Sequence, residues 1–235
     1  MDWTSPIDIY CERVDASFWS EPLNAVSNIA FILAALWAAY EAQRRDVSRF
    51  SIWLLITLTF LIGIGSFLFH TFATGWAALA DVLPIWLFVA SYIVVASALL
   101  SGASALRAAF IAAIVIALVV LMAAALTALS NAGGAAARIL NQLNGSDQYF
   151  PAVLAMLIFS TAALARRHPI RWWFAGATAV FLVSLTFRSV DMHLCPAWPH
   201  GTHIFWHLLN GTTLALLLQA LIRQTERPTP HEFSR

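Results

Sequence analysis

The sequence predicts an all-α membrane protein, a single bundle of seven transmembrane helices with its N-terminus outside and its C-terminus in the cytoplasm. Hydrophobic residues make up 60% of the 235 residues, charged residues make up only 11%, and the mean hydropathy is +0.76. This composition is typical of a chain that crosses the membrane several times. The net charge is +1 and no basic stripe is present, so we expect no nucleic-acid partner.

Seven apolar segments are long enough to cross a hydrocarbon core of about 30 Å. They cover residues 22–41, 50–70, 79–100, 107–128, 148–165, 172–190 and 202–222. The longest interruption, residues 129–147, contains good helix formers from Ala135 to Leu143 and predicts a short extra helix. The chain therefore divides into an acidic N-terminal segment, a transmembrane domain and a flexible cytoplasmic tail, at residues 1–21, 22–222 and 223–235.

Arginine sets the predicted orientation. All 13 basic residues are arginines, and an outside N-terminus leaves only Arg13, Arg138 and Arg188 outside or near the outer face. The other ten then lie in inner loops and the tail, as the positive-inside rule requires. Short loops and the absence of lysine favour a bacterial inner membrane.

The two cysteines, Cys11 and Cys195, both lie outside in this topology. An oxidising compartment would allow a disulfide between them. That bond would tie the N-terminal segment to the loop before the last span. Two free thiols are the alternative.

Three histidines lie at the outer ends of predicted spans. His70 ends the second span, and His203 and His207 stand one helical turn apart at the start of the seventh. Three histidines with one open position form the ligand set of a catalytic zinc. The alternatives are three unrelated polar residues near the membrane surface, or a haem site, which would need axial histidines on facing helices.

Asp81 and Ser66 are the other polar residues near this face. Asp81 stands at the mouth of the third span, where it could cap the helix, orient a histidine or exchange a proton with a metal-bound water. Ser66 lies one turn before His70 and could stabilise an oxyanion. It could instead bond the carbonyl four residues before it. Arg188 and Asp191, one turn apart in the sixth span, could form an ion pair.

The N-terminal segment is rich in carboxylates. Five of the chain's 12 acidic residues fall within its 21 positions, namely Asp2, Asp8, Glu12, Asp15 and Glu21. Carboxylates at this density could bind calcium. A solvated charged surface is the alternative.

These residues, in this order, resemble the alkaline ceramidase family, within the seven-helix membrane hydrolases that include the adiponectin receptors. The resemblance extends from residue 8 to residue 207. It rests on short motifs: Asp8-Ile-Tyr-Cys-Glu12, Glu21-Pro-Leu-Asn24 with Ser27-Asn28, Gly65-Ser66-Phe-Leu-Phe-His70, Asp81-Val-Leu-Pro84, Asp191 with Cys195, and His203-Ile-Phe-Trp-His207.

The resemblance implies a zinc ion held by His70, His203 and His207, with Asp81 as acid and base and Ser66 as oxyanion stabiliser. It also implies a structural calcium ion bound by N-terminal acids, of which Asp8, Glu12 and Glu21 match best. A further family ligand position, usually asparagine, falls here near Val14 and Asp15. The paired cysteines also match the family, which favours the Cys11–Cys195 disulfide.

The resulting hypothesis is a zinc-dependent hydrolase of linear amide bonds. It would cleave ceramide-like N-acyl sphingoid lipids into a fatty acid and a sphingoid base, near the outer face of the membrane. One alternative is a hydrolase of another lipid amide or ester. A second alternative is a zinc-containing lipid receptor that does not hydrolyse its ligand.

Overall fold

The computed structural model describes residues 3–101 and 104–224, so Asp2 and the predicted tail beyond residue 224 lie outside the described residues. The described chain is helical and confirms the predicted seven-helix membrane bundle. Its helices are α1 Pro22–Ser27, α2 Ile29–Arg44, α3 Phe50–Phe72, α4 Gly75–Ser101, α5 Ala105–Ala132, α6 Gly134–Asn141, α7 Phe150–Ala165, α8 Arg171–Leu194 and α9 His203–Gln224. A 3₁₀ turn at Ser146–Tyr149 precedes α7.

Seven stretches are long and apolar enough to cross a membrane. The first combines α1 and α2, which meet at Asn28, and α3, α4, α5, α7, α8 and α9 provide the others, α7 with its 3₁₀ turn. The short α6 lies where the sequence predicted an extra helix. One boundary matters for the site, because α4 begins at Gly75, not at residue 79, so Asp81 lies two turns inside the helix. Asp81 therefore does not cap the start of α4, which was one of the roles considered for it.

The spans form a closed ring. Each span packs against the next along the chain, and α9 closes the ring by packing against α2, with further contacts to α3 and α1. Of the seven spans, α9 is the most buried and α5 the least. Residues from α9 therefore reach the middle of the bundle, which is why polar groups on this helix can face an enclosed site.

The N-terminal segment crosses one end of the bundle. Its backbone bonds to the α3–α4 turn, since Ile7 donates its N–H to the Ala73 carbonyl at 2.7 Å and Trp76 donates to Trp3 at 3.2 Å. Cys11 forms a disulfide with Cys195, which confirms the predicted pairing. The segment is thus held at both sides over the ends of α3, α4 and α8.

Loss of this disulfide should destabilise the protein. The bond closes a loop of 184 residues, and constraint of the unfolded chain grows with loop length. The membrane already restricts the unfolded chain, which reduces the effect of the disulfide without removing it. We expect Tm to fall by about 5 °C or more in Cys11→Ser/Cys195→Ser. Thermal unfolding in detergent with and without reductant measures this. Reductant should lower the Tm of the wild type and leave the double variant unchanged; equal Tm values for all samples would contradict the prediction.

Candidate metal centre

The three histidines predicted as metal ligands meet at one point of the bundle. His70 comes from the last turn of α3, and His203 and His207 come from the first two turns of α9. All three side chains are buried, and one potential ligand nitrogen from each lies within 4.8 Å of the others. Within residues 3–101 and 104–224, no other group of His, Cys, Asp and Glu meets this spacing. The group could therefore hold a metal ion.

Hydrogen bonds fix which nitrogens of two histidines face the centre. His70 Nδ1 lies 2.6 Å from a carboxylate oxygen of Glu21, to which it donates its proton. His207 Nδ1 lies 2.7 Å from the Ser27 hydroxyl, whose own proton goes to the Asn24 carbonyl at 2.8 Å. The Ser27 oxygen must therefore accept from His207. Both imidazoles, when neutral, then carry a lone pair on Nε2.

These two Nε2 atoms face each other at 3.1 Å. Two lone pairs at this separation repel unless a proton or a metal ion lies between them. On a tetrahedral zinc with Zn–N bonds of about 2.0–2.1 Å, two nitrogens would lie about 3.3 Å apart. His203 adds a buried Nδ1 that has no hydrogen-bond partner among the described residues, and its ring stacks on Tyr10 with centroids 3.8 Å apart. The donor set therefore fits zinc, with Glu21 and Ser27 orienting two of the three ligands.

Asp81 and Ser66 come together because α3 and α4 approach closely at this level. Pro84 has no N–H to offer the carbonyl of Ala80, one turn before it. A side chain at Gly65 would collide with that carbonyl, so glycine permits the contact between the helices. The next residue, Ser66, lines the same cavity as Asp81. Both side chains thus face the same space.

The start of α9 is fixed by a carboxylate from α8. Asp191 accepts the backbone N–H groups of Thr202 at 2.6 Å and His203 at 3.0 Å through one oxygen. Its other oxygen accepts from the N–H of Cys11 at 3.0 Å. Gly201 packs directly against Asp191 with φ +64°, a conformation that favours glycine. Asp191 therefore caps the helix that carries two histidines.

Arg188 does not form the ion pair with Asp191 that the sequence spacing allowed. Its guanidinium donates to the Tyr10 hydroxyl at 2.5 Å. It also lies 5.2–5.4 Å from the ring centroids of Tyr10, Tyr149 and Trp206. Burial raises the pKa of the Tyr10 phenol against the opposing effect of Arg188, so the hydroxyl stays protonated and can accept this bond. Arg188 thus braces the ring on which His203 stacks.

Two of the acids predicted as calcium ligands are buried and already engaged. Both oxygens of Glu12 accept backbone N–H groups at the start of α1, each at 2.8 Å. Burial raises the pKa of this carboxyl, against the lowering effect of those two N–H groups. Glu21 forms an ion pair with Arg13 through one oxygen, and its other oxygen bonds His70.

The other two predicted acids are exposed. Asp8 lies on the surface, and Asp15 accepts the N–H of Ser17 at 2.8 Å. In the described part of the chain the four acids do not converge on a common point. These donors do not fit an ion that takes six to eight oxygen ligands, and calcium binding by them stays a prediction.

An apolar cavity opens next to the histidines. At one end it is lined by Ser66, Asp81, His203, Trp206 and His207. It continues past Phe88 to Phe159, Phe174 and Leu217, toward the opposite ends of α7, α8 and α9. The walls are almost wholly aliphatic and aromatic, whereas the polar groups are concentrated at the histidine end. A molecule with a long apolar chain and a polar reactive group would match this distribution.

Sequence reasoning missed several contacts of the site. Glu21 was expected to bind calcium, yet it orients His70; Ser27 was noticed only as part of a motif, yet it orients His207. For Ser27 a signal was present, because it is a polar residue within an apolar span. Arg188 gave the same signal, as a charged residue within the sixth predicted span, but its partner Tyr10 lies 178 residues away. Arg13 gave none, since it lies outside the predicted spans.

A family model described as Ceramidase matches residues 2–233, nearly the whole chain. The comparison with individually curated proteins returned no match. The matched residues include all seven spans and the three histidines of the buried group. By the extent of that match, the chain belongs to the ceramidase family.

Proposed function

We propose that this protein is a zinc-dependent intramembrane amidase that hydrolyses ceramide-like N-acyl sphingoid lipids to a fatty acid and a sphingoid base. Membership of the ceramidase family supports hydrolysis of ceramides in general. The observation that carries the zinc-dependent form is the convergence of three buried histidines, with the Nε2 atoms of His70 and His207 3.1 Å apart. His203 and His207 line an apolar cavity that Ser66 and Asp81 also line.

His70, His203 and His207 would hold the zinc ion. When bound, zinc would supply Lewis-acid chemistry and lower the pKa of a water molecule. Glu21 and Ser27 would keep the imidazoles of His70 and His207 in the tautomer that ligation requires.

Asp81 is the proposed acid and base. Its carboxylate would take one proton from the attacking water as the water oxygen bonds to the amide carbon. When the C–N bond breaks, the same carboxyl would return that proton to the leaving nitrogen, which departs as the amine of the sphingoid base. Asp81 and Ser66 line the same cavity, so the two side chains would lie beside the same substrate atoms.

Ser66 is the proposed oxyanion donor. Negative charge develops on the carbonyl oxygen during attack, and a hydroxyl that donates to this oxygen stabilises the transition state more than the substrate. The apolar walls of the cavity would hold the hydrocarbon chains and exclude bulk water.

The orientation belongs to the same proposal. An outside N-terminus would put the histidine centre near the outer face of a bacterial inner membrane, because His70, His203 and the disulfide lie at the end of the bundle covered by the N-terminal segment. Labelling of single cysteines introduced into the α2–α3 and α3–α4 turns, in a variant lacking Cys11 and Cys195, would test this. Reaction with an impermeant thiol reagent in intact cells is expected only at the α3–α4 turn.

The first test combines metal content with turnover. Purified protein should contain about one zinc per chain and release fatty acid from members of a ceramide panel. His207→Ala should lose both zinc and release, since it removes one of three ligands. Zinc without release from any ceramide would move the substrate to another lipid amide or ester, or favour a zinc-containing receptor. Absence of zinc from active wild-type protein would contradict the proposal.

A further inference from the structure

We propose that the guanidinium of Arg13 takes the structural place of a calcium ion in this chain, so that the zinc ligand His70 is held without calcium. Arg13 is 6% exposed and lies between the N-terminal segment and the end of α3. Its Nε pairs with Glu21, and its two terminal nitrogens donate to the carbonyls of Asp15 and His70, each at 3.0 Å.

The three oxygens around Arg13 come from three separate stretches of chain. Asp15 belongs to the N-terminal segment, Glu21 to the start of α1 and His70 to the end of α3. A cation that binds all three oxygens links these stretches of chain to one another. A structural calcium ion would have the same role. Because the guanidinium already occupies the space between these oxygens, a calcium ion could not bind all of them as well.

The surrounding residues agree with a resident organic cation. The further ligand position of the family falls near Val14 and Asp15, where Val14 is apolar and 83% exposed. Glu12, the other buried acid, has both oxygens filled by backbone N–H groups. The two buried acids predicted as calcium ligands are therefore already engaged, Glu12 by the N–H groups at the start of α1 and Glu21 by Arg13 and His70.

The charge of Arg13 also acts on the metal centre. Glu21 is buried, with its side chain 2% exposed, and it faces both Arg13 and His70. Without Arg13, this carboxylate would lose its permanent positive partner in a site of low polarity. We therefore infer that Arg13 is a positioning residue that acts on His70 through Glu21 and through the His70 carbonyl.

The first experiment uses the wild-type protein in detergent, without substrate. After incubation with calcium and removal of free ions, elemental mass spectrometry should find sub-stoichiometric calcium and stoichiometric zinc. The Tm should be the same in the presence of a calcium-selective chelator and of added calcium. Stoichiometric calcium together with a fall in Tm on chelation would overturn the proposal.

The second experiment compares Arg13→Ala, Arg13→Lys and the matched control Arg44→Ala. Arg44 also pairs with a glutamate, Glu41, but its side chain is 53% exposed at the far end of the first span. Arg13→Ala should lower Tm by about 10 °C and lose zinc faster to a chelator, whereas Arg44→Ala should change neither property. Arg13→Lys should recover part of the loss, because it keeps a buried cation.

Added guanidinium separates charge from packing. Millimolar methylguanidinium should restore Tm and zinc retention to Arg13→Ala, and calcium should not. Restoration by calcium alone, or behaviour of Arg13→Ala like that of Arg44→Ala, would overturn the proposal. The inference rests on the proposed zinc site, but calcium content and Tm are measured without turnover. A protein that hydrolyses no ceramide could still give the expected calcium content and Tm. The proposal for Arg13 can therefore be tested independently of the proposed amidase activity.

Discussion

Asp81→Asn should lower the rate of fatty-acid release by about 10²–10⁴-fold while zinc remains bound. This range is typical of a general acid–base residue. The change keeps the size of the side chain and removes its capacity to hold a proton. Asp81 lines the cavity but does not belong to the histidine group, so its substitution should leave the metal ligands in place. The measurement is turnover of a ceramide at saturating substrate, together with zinc content of the same sample.

The control is Asp147→Asn, which makes the same chemical change in the 3₁₀ turn before α7, outside the cavity lining. It should retain wild-type turnover. If Asp81→Asn loses zinc and turnover together, its role is that of a structural support of the metal centre. If it keeps full turnover, another group moves the proton and the proposed mechanism fails.

Much of the fold could be predicted because a membrane penalises polar groups so strongly. Seven apolar segments were long enough to cross it, and the described chain has seven such stretches near the expected residues. The same penalty made three histidines and one aspartate conspicuous, and the histidines do meet. Polar residues within apolar segments are therefore the easiest to identify from the sequence as candidates for a functional site.

The start of α4 was less predictable, because the hydropathy of residues 75–78 is modest and the turn before it is short. Ala73 closes α3 in a left-handed conformation with φ +44°, and α4 begins only two residues later. This tight turn takes Asp81 into the helix and beside Ser66. A turn conformation adopted by alanine leaves no signature in composition or periodicity.

The contacts that orient the site could not be predicted from local sequence. Glu21 and His70 are 49 residues apart, and Ser27 and His207 are 180 residues apart. Which acid meets a histidine, and which meets an arginine, depends on how the N-terminal segment lies across the bundle. Carboxylate density allowed calcium and the family resemblance implied it, but neither takes account of the cations that come to pair with the acids.

Ser66→Ala should lower kcat by about 10²-fold or more if the hydroxyl donates to the oxyanion, with little change in KM. The reason is that this hydrogen bond would strengthen only as charge develops on the carbonyl oxygen. Zinc content should stay the same, since Ser66 contacts Asp81 and is not a member of the histidine group. The control is Ser97→Ala, which removes a buried hydroxyl of α4 that has no hydrogen-bond partner and lies outside the cavity lining.

A second role for Ser66, that of only orienting Asp81, predicts a different result. In that case the loss caused by Ser66→Ala should vanish in an Asp81→Asn background, because nothing remains to be oriented. An oxyanion donor should still matter there, since charge develops on the carbonyl oxygen however the proton moves. Measurable further loss in the double variant would therefore favour direct contact with the substrate, and near-normal turnover in Ser66→Ala would remove this residue from the mechanism.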